Sequence, residues 1–170
     1  MAVVTLNGSL VMTGLEATPA VLANPGEAGG KVRAWVDTVE VGAADTANST
    51  YLLARLPSTA VILPSSTLYW DDLTTTGSPT VDVGVFNMTG NTDITDDPDA
   101  LSNGHDVTSV GSGAALTAAA NISNFGIPLW DYVNGETVDP KVDLDVKAKL
   151  VDANVVGGGS MSLVLYYTLD

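Results

Sequence analysis

The sequence predicts an all-β protein, an antiparallel β-sandwich or jelly-roll-like domain, and three observations predict it. Short β-prone runs recur from Ser49 to Phe86, separated by Pro57, Pro64 and a Gly-Ser-Pro turn. Strands bounded by such residues at this spacing are typical of antiparallel sandwiches. Two runs near the C-terminus alternate apolar and polar residues, as half-buried strands do. The length of 170 residues fits one domain with its own core.

The N-terminal region differs from the rest of the chain. Residues 1–30 carry Pro19, Pro25 and several glycines and show no sustained hydrophobic period. Such a segment gains little by folding on itself and becomes ordered chiefly against another surface. We therefore predict an extended N-terminal arm over 1–30 and a single β-sandwich domain over 31–170. Both a loosely attached terminus and an arm that clasps a neighbouring subunit fit this composition.

The first strand is predicted at Lys31–Val41. Val36 falls on one face and Trp35 on the other, so we expect both faces of this strand to be partly covered. The following strands are predicted at Tyr51–Leu56, at Ala60–Leu63 with Thr67–Trp70, and at Val81–Phe86.

The connection that follows is polar. Asn87–Gly113 is expected to be a long loop without its own secondary structure, a kind of segment that is usually functional or mobile. The alanine-rich stretch Ala114–Ile122 predicts one short helix, with Ser112 as its N-cap and Gly126 past its end.

The last two strands are predicted at Val142–Leu150 and Ser160–Leu169. In the first, apolar residues alternate with Asp143, Asp145, Lys147 and Lys149, which predicts one buried face and one solvent-exposed face. Two acidic residues are followed by two basic residues on the polar face, so a neighbouring strand could align residues of opposite charge against them. The linker Asn154–Gly159 is expected to join the two strands into a hairpin through a flexible loop, with Leu144 and Leu165 both buried in the hairpin.

Composition excludes several classes of function. The formal net charge is −14, which repels phosphate backbones and anionic membranes and argues against nucleic-acid binding. The absence of cysteine excludes disulfides, thiolate metal sites and cysteine nucleophiles. No stretch of the sequence approaches the ~20 apolar residues that a membrane span needs. The N-terminus lacks a signal-peptide pattern, so we expect folding in a cytoplasm.

An acidic cluster in the polar connection is the one candidate metal site. Carboxylates are hard oxygen ligands suited to calcium. The spacing lacks the glutamate of an EF-hand loop, and an ordinary solvated, turn-rich loop has the same composition. We predict no metal or cofactor, with calcium kept as the alternative. Its candidate ligands are Asp93, Asp96, Asp97 and Asp99, near Asp106.

No catalytic residue is predicted. His105 is the single histidine, and Asp106 beside it is a weak indication of a triad, which needs a base held by a carboxylate. The sequence has no G-x-S-x-G nucleophile elbow. We expect His105 to be a surface residue. A carboxylate pair for glycoside cleavage is the alternative, with candidates Asp71, Asp72, Asp131 and Glu136.

The aromatic residues allow two interpretations. Aromatic rings in a β-sandwich usually anchor the core or an interface. They can also stack on the apolar faces of sugar rings. The candidates for a sugar-binding platform are Trp35, Trp70, Trp130, Tyr51, Tyr69 and Tyr132.

Three motifs resemble the small structural proteins of tailed bacteriophages. They are STYLLARLPSTA (Ser49–Ala60), LYWDD (Leu68–Asp72) and TVDVGVF (Thr80–Phe86), followed by ITDDPDAL (Ile94–Leu101). The chain is most similar to capsid decoration, or head-stabilising, proteins built on a β-sandwich or jelly roll. The resemblance covers Ser49 to Leu169 and contains no catalytic or ligand motif.

The resemblance implies a mechanical role on the virion. Decoration proteins bind the outside of a capsid lattice, often as trimers, and oppose internal pressure. It therefore implies a non-enzymatic protein, made in the host cytoplasm and located on the capsid surface, with the major capsid protein as partner. Low charge and two-faced strands also predict a homo-oligomer. Related modules occur in head fibres and tails, so a receptor- or carbohydrate-binding module is the alternative.

Overall fold

Two antiparallel sheets pack face to face. The computed structural model describes residues 31–73, 77–116 and 121–169, so the predicted arm over 1–30 lies outside the described residues. Within the described ranges the strands are β1 (Arg33–Val41), β2 (Thr50–Pro57), β3 (Val61–Ile62), β4 (Thr67–Trp70), β5 (Thr80–Phe86), β6 (Asp97–Asp106), β7 (Gly111–Ala115), β8 (Asp143–Val151) and β9 (Gly159–Thr168). Two short 3₁₀ turns lie at Ile122–Asn124 and Leu129–Tyr132.

The chain passes repeatedly from one sheet to the other. Sheet A has the strand order β1-β9-β4-β7, and the short strand β3 also pairs with β9. Sheet B has the order β2-β8-β5-β6, and its β5–β6 connection is the one that joins neighbouring strands of this sheet directly. All the paired strands are antiparallel. The prediction of an all-β antiparallel sandwich is confirmed.

The core lies between the sheets. Val81, Val83 and Val85 of β5 are fully buried, and Leu144 of β8 and Leu165 of β9 are buried from opposite sheets, as predicted. The alternating positions of each strand therefore supply one layer of the core. Complete burial of a leucine side chain contributes roughly 1.5–3 kcal/mol, so these positions dominate the stability of the sandwich.

The predicted C-terminal hairpin is wrong. β8 pairs with β2 and β5 in sheet B, whereas β9 pairs with β1, β3 and β4 in sheet A. The glycine-rich linker therefore crosses from one sheet to the other. Both strands have a strong apolar face, and two such faces bury more surface against each other across the sandwich than side by side in one sheet.

The polar connection and the short helix also need correction. Asp97–Asp106 of the supposed loop is strand β6, which buries Leu101 and Ser102. Ala114 and Ala115, expected to begin a helix, end strand β7 opposite Leu68 and Thr67. Residues 117–120 lie outside the described residues, and the chain then forms the first 3₁₀ turn. Backbone pairing with β4 overrides the helix propensity of alanine, which is a weak preference.

Candidate interaction surface

The outer face of sheet A is built from strands β1, β9 and β4. Register pairs align Val36 with Val164, and Val164 in turn with Thr67. The hydroxyl groups of Thr38 and Ser162 lie 2.8 Å apart, which places these two side chains on the same face. We call this surface the outer A face; its residues are Ala34, Val36, Thr38, Thr67, Tyr69, Ser162, Val164 and Tyr166.

None of the side chains of the outer A face is buried or charged. Val36 is 66% exposed, and Val32, just before β1, continues the apolar surface. Glu40 marks one end of the face, because it lies beyond Thr38 on the same side of β1. Contiguous apolar surface on a soluble chain commonly marks a site of interaction. The expectation that both faces of the first strand are covered therefore fails for the outer face, at least among the described residues.

A second exposed region lies where the edge strands β1 and β2 face each other. The indole N–H of Trp35 donates to the carbonyl of Leu53 at 2.8 Å and so ties sheet A to sheet B. Leu52 pairs with Lys147, is 47% exposed and directly precedes a bulge before Ala54. An open cavity of about 190 Å³ lies here. We call it the β1–β2 seam; it is lined by Trp35, Asp37, Leu52, Leu53, Ala54 and Arg55.

Edge strands carry backbone groups that no strand of their own sheet satisfies. β1 ends the order of sheet A and β2 ends that of sheet B. Such edges are templates for pairing with another chain unless charges, prolines or bulges protect them. β2 has a bulge and ends in Pro57, while β1 is a continuous nine-residue strand. β1 is therefore the less protected of the two edges.

The outer face of sheet B is organised differently. The carboxylate of Asp145 is 2.7 Å from Nε of Arg55 and 3.3 Å from Nζ of Lys147. Asp145 is 1% exposed, although its place in the alternation of β8 predicts a solvent-exposed position. Lys147 also lies 5.2 Å from the ring centre of Phe86 and donates to the carbonyl of Asn87. The predicted pairing of opposite charges between neighbouring strands is present, between Arg55 of β2 and Asp145 of β8. The face of β8 that was expected to be exposed to solvent is partly enclosed.

The acidic stretch before and at the start of β6 is held by hydrogen bonds with backbone and side-chain amide groups. The side-chain oxygen of Asn87 accepts the N–H groups of Asp93 and Ile94, and its amide nitrogen donates to Asp96. The carboxylate of Asp97 accepts the N–H of Asn134. Asp99 accepts a hydrogen bond from Asn103, which is the main reason that its pKa lies below the usual value.

These bonds leave the calcium candidates dispersed. Across residues 31–73, 77–116 and 121–169 no three His, Cys, Asp or Glu side chains come together as a possible metal site. Asp93, Asp96, Asp97 and Asp99 therefore do not form a shared oxygen cage, and the absence of a bound metal stays a prediction.

His105 is not the surface residue that the sequence predicts. Its side chain is half-buried, its ring lies 5.6 Å from that of Trp70, and its Nε2 is hydrogen-bonded to the hydroxyl of Ser102. Burial lowers the pKa of His105, and the nearby Asp82 carboxylate opposes this shift. The carboxylate of Asp106 instead accepts the N–H of Thr108.

The Ser102–His105 pair lacks the geometry of a nucleophile. Ser102 is buried, so a substrate carbonyl has no route to its hydroxyl. An activated serine needs a base that is itself oriented by a third group and an exposed oxygen for attack. Both residues lie on β6, and the ring of His105 packs against that of Trp70 on β4, which favours a role in closing this edge of the sandwich.

The glycosidase alternative finds little support. Asp71 accepts both the N–H and the hydroxyl of Ser160, which lowers the pKa of this carboxyl group. A general acid for glycoside cleavage needs a raised pKa. Glu136, another of the four candidates, accepts the N–H of Thr95.

The six aromatic candidates lie on four different elements. Trp35 is on β1, Tyr51 on β2, Tyr69 and Trp70 on β4, and Trp130 and Tyr132 in the second 3₁₀ turn. The indole of Trp70 donates to the carbonyl of Ser109, and Trp130 packs against the core. These rings therefore anchor the fold at separate places. Tyr69 and Trp70 line an open depression of about 240 Å³ beside β4 and β9.

The sequence reasoning missed the Arg55–Asp145–Lys147 cluster and the β1–β2 seam. The only sequence signal for the cluster is the charge order in β8, because Arg55 is ninety residues away along the chain. The seam has no local signal, since it depends on which two strands end their sheets.

In the ranges that the structure describes, no helix has the length and hydropathy to span a membrane. No protein-family model matches the sequence. No curated protein matches it either.

Among solved structures, a chain of the cyanophage Pam1 capsid asymmetric unit has a similar fold. The two chains are 22% identical and superpose with a TM-score of 0.57, over 91% of this chain and 96% of the other. The likeness establishes the fold, which is therefore one also found in a phage capsid. Because the superposition covers nearly all of both chains, the two are of similar length.

Proposed function

We propose that this chain is a non-enzymatic structural protein of a tailed-phage virion that decorates and stabilises the capsid lattice. The observation that carries the proposal is the similarity to a chain of the cyanophage Pam1 capsid asymmetric unit over nearly the full length of both chains. Because the match covers nearly the whole of a small capsid chain, it favours the role of an accessory subunit for this protein. The motifs between Ser49 and Leu101 are in keeping with this role.

The strand order supports the proposal. We propose a jelly-roll-like arrangement, because the orders β1-β9-β4-β7 and β2-β8-β5-β6 give two main sheets of alternating membership, with β3 as an additional strand of sheet A. Jelly rolls serve as rigid building blocks in viral capsids and also in lectins. The packed core and the enclosed polar cluster of sheet B suit a domain whose task is mechanical.

The charge of the chain bears on its partner and its location. A net charge of −14 disfavours contact with packaged nucleic acid and favours a place on the outside of the particle. We propose that the chain is made in the host cytoplasm, binds the major capsid protein and acts as a homotrimer. A stable subunit interface buries about 800 Å² per partner. The trimer contact would therefore have to include many residues from each subunit.

The β1–β2 seam is the region we assign to the lattice contact. It combines an open strand edge, the exposed side chain of Leu52, and charges of both signs at Asp37 and Arg55. Edge pairing supplies affinity through the backbone, and side-chain pockets supply specificity. The apolar residues at the centre of the seam would be surrounded by its charged residues, which is the usual arrangement of a protein interface.

The test is binding of the purified protein to phage heads that lack it. Wild-type protein should sediment with the heads, and Leu52→Asp should lower its affinity about tenfold or more, because a charge would be buried in an apolar contact. Val138→Asp is the matched control, since Val138 is 71% exposed and lies away from the seam. Equal binding by both variants would reject the seam. Failure of the wild-type protein to sediment with heads would reject decoration.

The second candidate is a receptor- or carbohydrate-binding module of a head fibre or tail. The depression beside Tyr69 favours it, because an exposed ring next to the hydroxyl groups of Ser160 and Ser162 is a suitable contact for a sugar. Binding of the free protein to a glycan array, lost in Tyr69→Ala, would favour this function over decoration.

A further inference from the structure

The outer A face is uncharged and open on a strongly acidic chain. Its eight side chains include no Asp, Glu, Lys or Arg, although the chain as a whole has twenty acidic residues. Val36 is 66% exposed, and Tyr166 and Val164 beside it are only partly buried. A contiguous patch of this kind commonly marks a site of interaction, because covering its apolar surface is favourable in water.

A second copy of the folded domain is a poor occupant for this face. Three strands at about 4.8 Å spacing and five residues at about 3.3 Å each cover on the order of 250 Å². A stable interface needs roughly 800 Å² per partner. A pairing of two outer A faces alone would therefore be weak.

The N-terminal segment has the complementary composition. Between Met1 and Gly30 the charged residues are Glu16 and Glu27, so Ala2–Leu15 has none. This stretch also contains seven large apolar residues, namely Val3, Val4, Leu6, Leu10, Val11, Met12 and Leu15. An uncharged segment can cover an uncharged face without the cost of burying an unpaired charge.

The connection to β1 makes this contact reachable. Residue 31 leads directly into β1, the strand that forms one side of the outer A face. The fifteen residues from Glu16 to Gly30 can span at most about 50 Å when extended. Three strands are only about 10 Å across from first to last, so the segment can return over its own sheet or reach that of a neighbour.

We propose that Ala2–Leu15 docks on the outer A face, with its apolar side chains against Val36, Val164 and Tyr166. The docking is independent of the proposed capsid function, and it assigns a binding partner to the open face of sheet A. It predicts that the domain carries its own cover for this face, supplied by the same chain or by a neighbouring copy.

The direct test is photo-cross-linking in the full-length chain. A benzoylphenylalanine at position 36 should cross-link to residues 1–16, which cleavage after Glu16 releases for mass spectrometry. The same group at position 138, an equally exposed valine in the folded domain, should not. A cross-linked product with the mass of one chain indicates docking within a chain, and a product of two chains indicates docking on a neighbour. Cross-links from position 36 only to residues 31–170 of a second copy, or none to residues 1–16, would overturn the proposal.

A proteolysis assay provides an independent measurement. Val36→Asp should make cleavage after Glu16 about tenfold faster, the change expected for loss of one buried valine contact. Val138→Asp should leave that rate at the wild-type value. Because both valines are exposed in the folded domain, neither variant should unfold it. Equal cleavage rates in the two variants would refute docking on the outer A face.

Discussion

The outer faces of the two sheets differ in how far other residues of the same chain cover them. On sheet B, Asp145 is enclosed by Arg55 and Lys147. The main chain at Asp97 crosses directly over Gly84, where an added Cβ would lie 2.1 Å from the Asp97 carbonyl oxygen. On sheet A, the corresponding face has neither a charge nor a buried side chain.

The difference indicates that the outer face of sheet B contributes mainly to stability, whereas the outer A face contributes mainly to association. A face closed by its own ion pairs and crossing strands contributes to the folding of one chain. An open, uncharged face contributes little until another segment or protein covers it. The proposed contacts of this protein accordingly lie on the outer A face and at the β1–β2 seam, to which sheet B contributes its edge strand β2. The other strands of sheet B form the more self-contained part of the sandwich.

The largest expected effects test whether the inner, core-facing sides of the two sheets contribute equally to stability. Leu144→Ala in sheet B and Leu165→Ala in sheet A should each lower the free energy of unfolding by about 2–5 kcal/mol, because each removes a fully buried side chain. Chemical denaturation of the two variants measures this. A loss below 1 kcal/mol at Leu165 alone would mean that sheet A is loosely packed and would change the comparison.

The next test addresses the outer faces directly. Asp145→Ala should cost on the order of 3 kcal/mol, because it leaves the amine of Lys147, which is mostly buried, without its carboxylate. Val36→Thr on the outer A face is the control and should change stability by about 0.5 kcal/mol or less. Urea unfolding of both variants gives the two values. Similar losses would show that the faces are equally important for folding.

A smaller effect is expected where β6 crosses sheet B. Gly84→Ala places a methyl group on the backbone of Asp97 and Pro98, which cannot move aside as a side chain can. Overpacking of this kind costs about 1–3 kcal/mol. A lowered melting temperature with an intact far-ultraviolet spectrum is the expected result. A variant as stable as wild type would show that this crossing is loose.

Acidification should weaken the edge at His105. Burial lowers the pKa of His105 in the folded protein, so the unfolded chain binds the proton more readily. The free energy of unfolding should therefore fall as the pH drops below about 6.5, the usual histidine pKa, and its His105 contribution should be constant above that pH. Denaturation at pH 7 and pH 5 measures this, with His105→Gln as the control that lacks this slope. Identical slopes would contradict the lowered pKa of the half-buried His105.

The smallest effect concerns calcium at the edge of sheet B. Excess calcium or a chelator should leave the melting temperature unchanged, because Asp96, Asp97 and Asp99 already accept hydrogen bonds from Asn87, Asn134 and Asn103. Calorimetry with and without calcium measures this. A rise of several degrees that is lost in Asp96→Asn with Asp97→Asn would identify a cation site, since a bound ligand stabilises the state that binds it.

The strands with clear alternation could be predicted from the sequence alone. Val81–Phe86 and Val142–Leu150 were placed within one residue of β5 and β8, because a period of two is a local property of the chain. β6 was not predicted, since its buried residues are interrupted by bulges and polar positions such as Asn103 and His105. Alternation is visible only where the ladder is regular.

The tertiary structure decided how the strands and side chains were used. Asp145 and Val36 both point outward from their strands, yet Asp145 is enclosed and Val36 is exposed. Direction relative to the sheet follows from position in the strand, whereas solvent exposure depends on residues far away in the sequence, such as Arg55 and Asp97. The assignment of β8 and β9 to opposite sheets has the same origin. Local pattern determines which face of a strand is apolar, and only long-range packing determines what that face, or the opposite one, contacts.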